Sequence, residues 1–398
     1  MKEYVTSPKL PENRKFRYPS IAVLGSTGSV GKQAMDVARK NRIPVHAVCA
    51  DRSVGEIERQ VREFRIPFCA MRGEEAAREL RIALSDTDTK VYSGEDGILE
   101  MIHACGAETV VNSLSGKAGL FPTLETIRVG KKLALANKES LVIAGNIVMQ
   151  EAREHHTEIL PVDSEHCAIF QSLRAGKNSE IKKIILTASG GPFFGFTKDQ
   201  LARVTVSDTL AHPTWNMGGK ITVDSATLMN KGYEVIEAVH LFGVRPEQVQ
   251  VTVHRESIIH SAVEYIDNSI IAQLAVPDMR ACVQYALTHP DRTPASVAEL
   301  DLFEVGKLTF ARPDTGTFPL LSLAERAIRE GGALPSVVNA ADEVAVSAFL
   351  AGKLSFPAIS ETVLTVADRL SDARKVSSLD DILAYDRTAR DMTASLIQ

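Results

Sequence analysis

Two carboxylic acids stand two residues apart at the end of a short apolar run. The run covers residues 159–162, and Asp163 and Glu165 follow it. If the backbone is still extended there, both side chains leave by the same face. At an effective dielectric of ~20, two unit charges ~4 Å apart repel by about 4 kcal/mol. Either one carboxyl keeps a proton or a cation lies between the two. The alternative interpretation makes one acid a helix N-cap and leaves the other solvated.

A glycine-rich turn near the start of the chain has the spacing of a phosphate-binding loop. An apolar run at residues 21–24 is followed by Gly25, Gly28 and Gly31, and a helical pattern covers residues 32–40. In the order strand, turn, helix, such glycines let backbone N–H groups approach a pyrophosphate at a helix N-terminus. The spacing G-x-x-G-x-x-G is less common than G-x-G-x-x-G, and a tight turn without a ligand is the alternative.

The end of the second predicted strand, residues 45–49, carries conflicting signals for the ribose of a dinucleotide. The strand is followed by Asp51, Arg52 and Ser53. In doubly wound dinucleotide-binding folds, residues at this position contact the adenosine ribose. An acid there would bind a free 2′-hydroxyl, whereas Arg52 and Ser53 suit a 2′-phosphate. Ser53 and Glu56 also have the spacing of a capping box, which is a competing explanation for Ser53.

Lys138 directly follows a third apolar run, at residues 132–136. A solvated lysine does not need a position at the carboxyl end of a buried strand, where ligands bind in doubly wound folds. Lys138 is therefore a candidate functional residue, whereas Glu139 or Ser140 could simply start the helix predicted at residues 141–152.

Small hydroxyl, amide and cationic side chains in the middle of the chain suit a phosphate group. Ser189 and the two glycines after it follow an apolar strand and offer a hydroxyl and free backbone N–H groups. Ser225, Asn230 and Lys231 form a second such set. A plain turn explains the first set nearly as well. The second could be an ordinary helix N-terminus, with Glu234 preceding a helix predicted at residues 235–242.

Residues 211–220 have the composition of a mobile flap. They contain His212, Met217 and the only tryptophan of the chain, Trp215, and they end in glycines. No hydrophobic period is present, and a buried imidazole and indole would each need hydrogen-bonding partners. A loop that closes over a ligand and excludes water fits this composition better than a core segment does.

The elements that must position these residues alternate between strand and helix in the first third of the chain. This alternation predicts an α/β fold with a doubly wound, Rossmann-type domain. Later apolar runs at residues 249–256 and 270–276 predict an α+β catalytic domain. Helical patterns at residues 320–330, 337–351, 358–370 and 379–395 predict a C-terminal helical domain. The predicted division is a disordered extension at 1–20, a cofactor-binding domain at 21–160, a catalytic and dimerisation domain at 161–290, a linker at 291–319 and a helical domain at 320–398.

The composition excludes several functional classes. Hydrophobic residues make up 44% of the 398 residues and charged residues 24%, with a net charge of −5 and no basic run. Neither a nucleic-acid face nor a membrane span is expected. The five scattered cysteines lack a C-x-x-C pair, which favours reduced thiols over disulfides or a zinc site. We therefore expect a cytoplasmic protein that binds neither nucleic acid nor membrane.

Taken together, the motifs closely resemble the 1-deoxy-D-xylulose 5-phosphate reductoisomerase family. The match runs in the same order from about residue 21 to residue 350. The motifs are GSTGSVG at 25–31, ANKESL at 136–141, PVDSEH at 161–166, SGGP at 189–192, the segment at 212–218, VDSAT at 223–227, MNKG at 229–232 with Glu234, and PDMR at 277–280.

The resemblance implies a reaction and a substrate site. The family converts 1-deoxy-D-xylulose 5-phosphate to 2-C-methyl-D-erythritol 4-phosphate by metal-dependent rearrangement and hydride reduction from NADPH. Asp163, Glu165 and Glu234 would bind Mg²⁺ or Mn²⁺. The residues implied to contact the phosphorylated sugar are Lys138 and Ser164 beside the metal, Ser189, Ser225, Asn230 and Lys231 at the phosphate, and His212, Trp215 and Met217 in the flap.

The resemblance also implies a cofactor site and a homodimer. The residues implied to contact NADPH are Thr27, Gly28, Ser29 and Val30 at the pyrophosphate, Asp51, Arg52 and Ser53 at the ribose, and Asn137, Glu139 and Gly218 elsewhere. Asp51 departs from the family, which often has glycine or another uncharged residue there, so a strict preference for NADPH is left open. Residues 115–119 also depart from it, and Lys117 could either reach the cofactor or lie at the surface.

Two other functions remain to be tested. A semialdehyde dehydrogenase would share the glycine turn but needs an activated thiolate, for which Cys167 beside His166 is the candidate. A non-enzymatic NADP-sensing regulator would need neither three convergent acids nor a flap.

Overall fold

The computed structural model describes residues 18–215 and 217–397 of the chain. Its first seven strands form one parallel sheet: β1 (Ile21–Leu24), β2 (Val45–Ala50), β3 (Phe68–Met71), β4 (Lys90–Ser93), β5 (Thr109–Asn112), β6 (Lys132–Leu135) and β7 (Ile159–Pro161). Their spatial order is β4-β3-β2-β1-β5-β6-β7. The direction of winding therefore reverses between β1 and β5, and in such sheets ligands bind beyond the carboxyl ends of the strands near this point. The predicted Rossmann-type domain is confirmed.

Six helices cover this sheet: α1 (Ser29–Asn41), α2 (Val54–Phe64), α3 (Glu74–Ala83), α4 (Gly94–Ala104), α5 (Leu120–Arg128) and α6 (Glu139–Glu154). All four residues of β1 are fully buried, because helices cover both faces of a parallel sheet; the strand therefore has a continuous apolar run. The sequence does not predict α3 or β4. The residues of β4, Lys-Val-Tyr-Ser, contain no apolar run, so pairing with β3 rather than local pattern defines that strand.

A second sheet of four strands follows: β8 (Ile181–Ala188), β9 (Val249–Val253), β10 (Ile259–Tyr265) and β11 (Ile270–Leu274), in the order β11-β10-β8-β9. The helices of this part of the chain are α7 (Ser164–Ser172), α8 (Lys198–Leu201), α9 (Val206–Leu210), α10 (Gly219–Ala226), α11 (Met229–Phe242), α12 (Arg280–Thr288) and α13 (Leu302–Val305). Of these, α12 packs against the first domain, in one buried cluster with residues of β1 and α1. The strand predicted at 249–256 ends at Val253, because the chain turns at residues 255–256.

Four helices complete the chain: α14 (Leu320–Glu330), α15 (Leu334–Leu350), α16 (Phe356–Arg369) and α17 (Leu379–Ile397). Short 3₁₀ helices lie at Gly116–Gly119, Leu173–Ala175, Asn178–Glu180, Pro246–Gln248 and Ser371–Lys375. One apolar core joins these helices to the middle of the chain, since Leu133, Val235, Leu323 and Val337 belong to the same buried cluster. The C-terminal helices therefore share one hydrophobic core with β6 and α11.

The boundaries of the first domain and of the linker can be compared with the structure. Of the extension predicted at 1–20, residues 1–17 lie outside the described residues. Ser20, however, is buried, and its carbonyl oxygen accepts a hydrogen bond of 2.9 Å from the amide of Glu108. The ordered fold therefore begins by residue 18, not at residue 21. The predicted linker, residues 291–319, contains α13 and pairs with β9 through a bridge between Val253 and Ala311.

Lys117 connects the cofactor-binding domain to the C-terminal helices. Its ammonium group donates a 2.8 Å hydrogen bond to Asp386 of α17, which is fully buried. Arg390 pairs with the same carboxylate at 3.0 Å and with Glu343 of α15 at 2.7 Å. Since a buried carboxylate must be paired, Lys117 has a structural partner in Asp386.

Within the described ranges, no helix has both the length and the apolar character needed to cross a bilayer.

Candidate active site

Three carboxylates from two separate helices converge at the carboxyl edge of the parallel sheet. Asp163 is the N-cap residue of α7, directly after β7, and Glu165 lies in the first turn of that helix. Glu234 comes from the middle of α11. One carboxylate oxygen of each lies within 4.8 Å of those of the other two. Three oxygen donors at this spacing match the ligand preference of Mg²⁺ or Mn²⁺.

The convergence of Asp163 and Glu165 does not arise in the way the sequence predicted. α7 begins at Ser164, so the two acids are not both on an extended strand; one precedes the helix and the other lies in its first turn. Asp163 does occupy the N-cap position of the alternative interpretation, but its side chain makes no cap hydrogen bond and contacts Lys138 instead. Likewise, Glu234 does not precede its helix, because α11 begins at Met229 and the acid points inward from its second turn.

Two lysines neutralise these acids in the structure. The ammonium group of Lys138 contacts Asp163 and lies 3.1 Å from Glu234 Oε1. The ammonium group of Lys231 contacts Glu234 and lies 2.7 Å from Glu165 Oε1. Lys138, Lys231 and Glu234 are all buried, so each charge depends on its partners rather than on water.

These contacts shift the pKa values of the acids in opposite directions. Burial alone would raise the pKa of Asp163, but the charge of Lys138 holds it well below its usual range. Burial, together with the charge of Glu234, raises the pKa of Glu165. For Lys138, burial would lower the pKa, and the charges of Asp163 and Glu234 outweigh it and raise the pKa well above its usual value. Lys138 is therefore a cation in this site.

The residues predicted to grip phosphate fall into two groups in the structure. Asn230 lies with the carboxylates: its amide oxygen accepts a 2.8 Å hydrogen bond from Lys138, and its amide nitrogen donates one of 2.6 Å to Glu234. Lys231 belongs to the same cluster. Ser189 and Ser225 instead meet at a glycine turn, where a Cβ on Gly191 would lie 2.7 Å from the carbonyl oxygen of Ser225.

The turn at Ser189 is joined to the flap by His212. The two nitrogens of His212 have different roles, because Nδ1 accepts hydrogen bonds from the amides of Thr214 and Trp215 at 3.2 and 3.0 Å. Burial lowers the pKa of His212 to about 4, aided by the charge of Arg255. The neutral ring therefore carries its proton on Nε2 and donates it to Ser189 Oγ, 3.1 Å away.

The rest of the predicted flap leads from His212 to the N-terminus of α10. Trp215 is half-buried, and its ring centroid lies 6.1 Å from that of His260. Gly218 is the N-cap residue of α10, and Met217 precedes it. As predicted, residues 211–215 and 217–218 lie in no helix or strand. The following helix begins at Gly219, inside the range predicted for the flap.

A cavity of about 540 Å³ joins these groups. Every residue predicted to be catalytic, metal-binding or substrate-binding lines it, as do Ser29, Val30 and Gly218 of the predicted cofactor set. The remaining predicted cofactor residues are not part of its wall: Thr27, Gly28, Asp51, Arg52, Ser53, Asn137 and Glu139. The cavity thus extends from the acids to the start of α1, and the predicted ribose contacts, residues 51–53, lie outside it.

The glycine turn fits a pyrophosphate. Gly28, in an extended conformation, is the N-cap of α1, so the amides of Ser29 and Val30 open the helix. A Cβ on Gly31 would collide with the carbonyl oxygen of Gly25, whose own φ is +77°. Glycine at these two positions brings the helix N-terminus close to the strand, where its free N–H groups and dipole favour an anion.

Asp51, Arg52 and Ser53 follow β2 and are exposed. Ser53 is the N-cap residue of α2, but its side chain makes no cap hydrogen bond, so the predicted capping box with Glu56 does not form. Asp51 pairs with Arg72, a residue that follows β3 and that no sequence motif identified.

Asn137 and Glu139 hold a loop instead of facing the cavity. The amide nitrogen of Asn137, which is buried, donates hydrogen bonds of 2.9 Å to the carbonyl oxygens of Leu114 and Gly116. Glu139 accepts a 3.1 Å hydrogen bond from the amide of Gly116. Their influence on a cofactor would therefore pass through the loop after β5.

Two further features were not predicted from the sequence. The guanidinium of Arg255 donates hydrogen bonds of 2.9 and 2.6 Å to the carbonyl oxygens of Ser189 and Gly191, and so holds the Ser189 turn. His166 donates from Nε2 to the carbonyl oxygen of Glu234 at 2.9 Å, and its Nδ1 lies 3.2 Å from Glu237 Oε2. In the sequence, the only indication of the contact between His166 and Glu237 was that Glu237 lies about one helical turn after Glu234.

Cys167, the candidate nucleophile of the semialdehyde dehydrogenase alternative, is fully buried. It packs with Cys282 and Tyr285 and does not line the cavity. A thiol so placed cannot reach a substrate there, so this alternative is excluded by geometry.

Three family models match the chain. The model of 1-deoxy-D-xylulose 5-phosphate reductoisomerase matches residues 21–145, and that of its C-terminal domain matches residues 159–242. A model described as the DXP reductoisomerase C-terminal domain matches residues 274–392. A 1-deoxy-D-xylulose 5-phosphate reductoisomerase of Acetivibrio thermocellus is 50% identical over 378 residues, which make up 95% of this chain and 99% of that protein.

Two solved structures share the fold over nearly the full length. One is the reductoisomerase from Zymomonas mobilis in complex with NADPH, which is 40% identical with a TM-score of 0.89 and covers 96% of this chain and 100% of its own. The other is a DOX-P reductoisomerase in complex with NADPH, fosmidomycin and magnesium, which is 38% identical with a TM-score of 0.91 and covers 95% and 98%. The chain therefore belongs to the 1-deoxy-D-xylulose 5-phosphate reductoisomerase family.

Proposed function

We propose that the protein converts 1-deoxy-D-xylulose 5-phosphate to 2-C-methyl-D-erythritol 4-phosphate, by metal-dependent rearrangement of the carbon skeleton and reduction by NADPH. This is the activity of the family to which the chain belongs. The observation that carries the proposal for this chain is the convergence of Asp163, Glu165 and Glu234 in a cavity that also reaches the start of α1.

The roles of the residues around the acids follow from their positions. When bound, a divalent ion polarises adjacent substrate oxygens as a Lewis acid, and NADPH supplies a hydride. Asp163, Glu165 and Glu234 hold the ion. Lys138 places a fixed positive charge beside the reacting oxygens, and Ser164, at the first position of α7, offers a hydroxyl on the same side.

The phosphate of the substrate is bound apart from the reacting carbons. Ser189 and Ser225 supply hydroxyls at the glycine turn. Asn230 and Lys231 of α11 contact the acids in this structure, and they would turn from the acids to the phosphate when the substrate and the metal bind. His212, Trp215 and Met217 close over the substrate and exclude water. Binding energy from a remote phosphate can drive such closure and orient the reacting centre.

The cofactor lies across the carboxyl edge of the parallel sheet. Thr27, Gly28, Ser29 and Val30 contact its pyrophosphate, and Asp51, Arg52 and Ser53 face its ribose. Gly218 lines the cavity and would contact the bound cofactor there. Asn137 and Glu139 would act on it through the loop that they hold.

The test is consumption of NADPH by the purified protein with 1-deoxy-D-xylulose 5-phosphate, with and without a chelator. We expect oxidation of NADPH that requires both substrate and metal, and recovery when Mg²⁺ or Mn²⁺ is restored. Turnover that persists in the chelator, or none under any condition, would contradict the proposal. Binding of NADPH without any turnover would instead favour the NADP-sensing regulator.

The role proposed for Arg52 gives a direct prediction about cofactor choice. We expect Arg52→Ala to weaken NADPH binding by about tenfold or more and to change NADH binding little, because a guanidinium contributes most to a doubly charged phosphate. The measurement is the dissociation constant of each cofactor by fluorescence titration. An unchanged ratio of the two constants would refute the role.

We further propose that the protein is a homodimer that works in the cytoplasm. β11 is an edge strand, and Ile270 and Leu274 on it are exposed, as is Ile266 in the turn before it. Phe303, in α13, is 97% exposed. Apolar side chains on an unpaired edge favour association with another surface, and a second copy supplies the same surface. The five cysteines are free and buried, as suits a reducing compartment.

The dimer proposal predicts the effect of charge on this edge. The double variant Ile270→Lys/Leu274→Lys should shift the protein toward monomer in light scattering after size exclusion, because it places two charges in the contact. Ile82→Lys is the matched control, since Ile82 is 72% exposed on α3, and it should leave the mass unchanged. A wild-type protein that elutes as a monomer would count against the dimer.

A further inference from the structure

We propose that Arg72 sets the preference for NADPH over NADH by neutralising Asp51 at the ribose-reading edge. The inference rests on the proposed function, in that NADPH is the cofactor. It concerns Arg72, to which no motif of the sequence assigned a role, and it explains how an aspartate at residue 51 can occupy the place of an uncharged residue without favouring NADH.

The two residues are fixed opposite each other by the sheet. β2 and β3 are parallel neighbours, with Ala50 paired to Met71, so Asp51 and Arg72 are the next residues at the same edge. The backbone amide of Arg72 donates a 2.9 Å hydrogen bond to the carbonyl oxygen of Ala50. The backbone amide of Gly73 donates a 3.2 Å hydrogen bond to the carbonyl oxygen of Asp51. The strand pairing thus continues one step beyond the strands and places the two side chains side by side.

The side chains form a forked ion pair. Arg72 Nε lies 3.1 Å from Asp51 Oδ1, and Arg72 Nη2 lies 3.3 Å from Asp51 Oδ2. This two-point geometry holds both carboxylate oxygens toward Arg72. Arg52 approaches the same carboxylate from the other side, with Nε 3.7 Å from Oδ2. One carboxylate therefore lies between two guanidinium groups, and the three side chains carry one net positive charge.

That arrangement decides which ribose is accepted. A free Asp51 carboxylate would accept hydrogen bonds from the 2′-hydroxyl of NADH and would repel the 2′-phosphate of NADPH. With both oxygens engaged by Arg72, Asp51 is a weaker acceptor for the 2′-hydroxyl of NADH, and the net positive charge of the three side chains attracts the 2′-phosphate of NADPH. Since the side chains of Arg72 and Asp51 are nearly half-exposed, the pair contributes little to folding stability. Its main consequence is the local charge.

The test compares cofactor binding in Arg72→Ala, Asp51→Asn and the double variant, without substrate. We expect Arg72→Ala to lower the NADPH/NADH affinity ratio about tenfold or more, because it exposes the Asp51 charge. We expect the double variant to regain most of that loss, since the carboxylate that Arg72 masks is gone. The loss in Arg72→Ala should shrink at high salt, which a packing defect would not do.

Arg59→Ala is the matched control, because Arg59 is a surface arginine in an ion pair with Glu56 on the neighbouring helix α2. It removes the same charge and should leave the ratio unchanged. Equal weakening of both cofactors by Arg72→Ala, or no recovery in the double variant, would overturn the inference. Failure of the proposed function would look different, because wild-type protein would then show no metal-dependent turnover whatever the affinity ratio.

Discussion

Replacing Glu234 with glutamine is expected to abolish turnover and to leave NADPH binding nearly intact. Glutamine keeps the size of the side chain and its hydrogen bond with Asn230, but it removes one of three negative charges around the divalent ion. The ion would then be held by two carboxylates from one helix terminus, Asp163 and Glu165. We expect kcat to fall by a factor on the order of 10³ or more, the scale of several kcal/mol of Lewis-acid stabilisation.

The two readouts of this variant separate chemistry from folding. The proposed NADPH contacts at the glycine turn lie at the start of α1, whereas Glu234 lies on α11, so we expect the dissociation constant of NADPH to change by less than about threefold. Glu325→Gln, a half-buried acid on α14, is the matched control and should retain full activity. An equal loss of turnover and of NADPH binding would mean that Glu234 is structural.

Replacing Lys138 with methionine is expected to lower kcat by about 10²-fold or more while metal binding is retained. Methionine fills much of the same volume but removes the cation between Asp163 and Glu234. A positioned cation beside reacting oxygens contributes in this range. Metal affinity should stay the same or increase, because Lys138 no longer competes for the two carboxylates. The measurements are steady-state kinetics at saturating metal and a Mn²⁺ titration.

Lys131→Met is the matched control, because it also replaces a hydrogen-bonded lysine with methionine. The ammonium group of Lys131 donates to the carbonyl oxygens of Ile102 and Cys105 in the same domain, away from the cavity. That variant should lose stability but keep its activity per folded molecule. If Lys138→Met lost metal and turnover together, Lys138 would be holding the carboxylates in place rather than acting on the substrate.

The convergence of Asp163 and Glu165 was predicted from the sequence, but its structural cause was not. The charges of Asp163 and Glu165 after an apolar run predicted that they converge, and their oxygens do lie within 4.8 Å of each other. The predicted cause, an extended backbone, was wrong, because α7 begins between them. Convergence here depends on the helix terminus and the position of β7. A local pattern can indicate that two like charges need a partner, but not which geometry brings them together.

The residues that the sequence missed act through long-range contacts. Arg72 and Asp51 meet because two strands are neighbours, and Arg255 reaches the Ser189 turn from the turn between β9 and β10. Neither contact leaves a periodic or motif signal in the chain. In contrast, α14 was predicted with its observed limits, because its apolar residues recur with the helical period along one buried face.

The most direct test is a crystal soaked in Mn²⁺ and measured at a wavelength where manganese scatters anomalously. We expect one strong anomalous peak between the carboxylates of Asp163, Glu165 and Glu234, within coordination distance of all three. A crystal that shows no peak there, or a peak bound by other residues, would contradict the claim that these acids form a divalent-metal site.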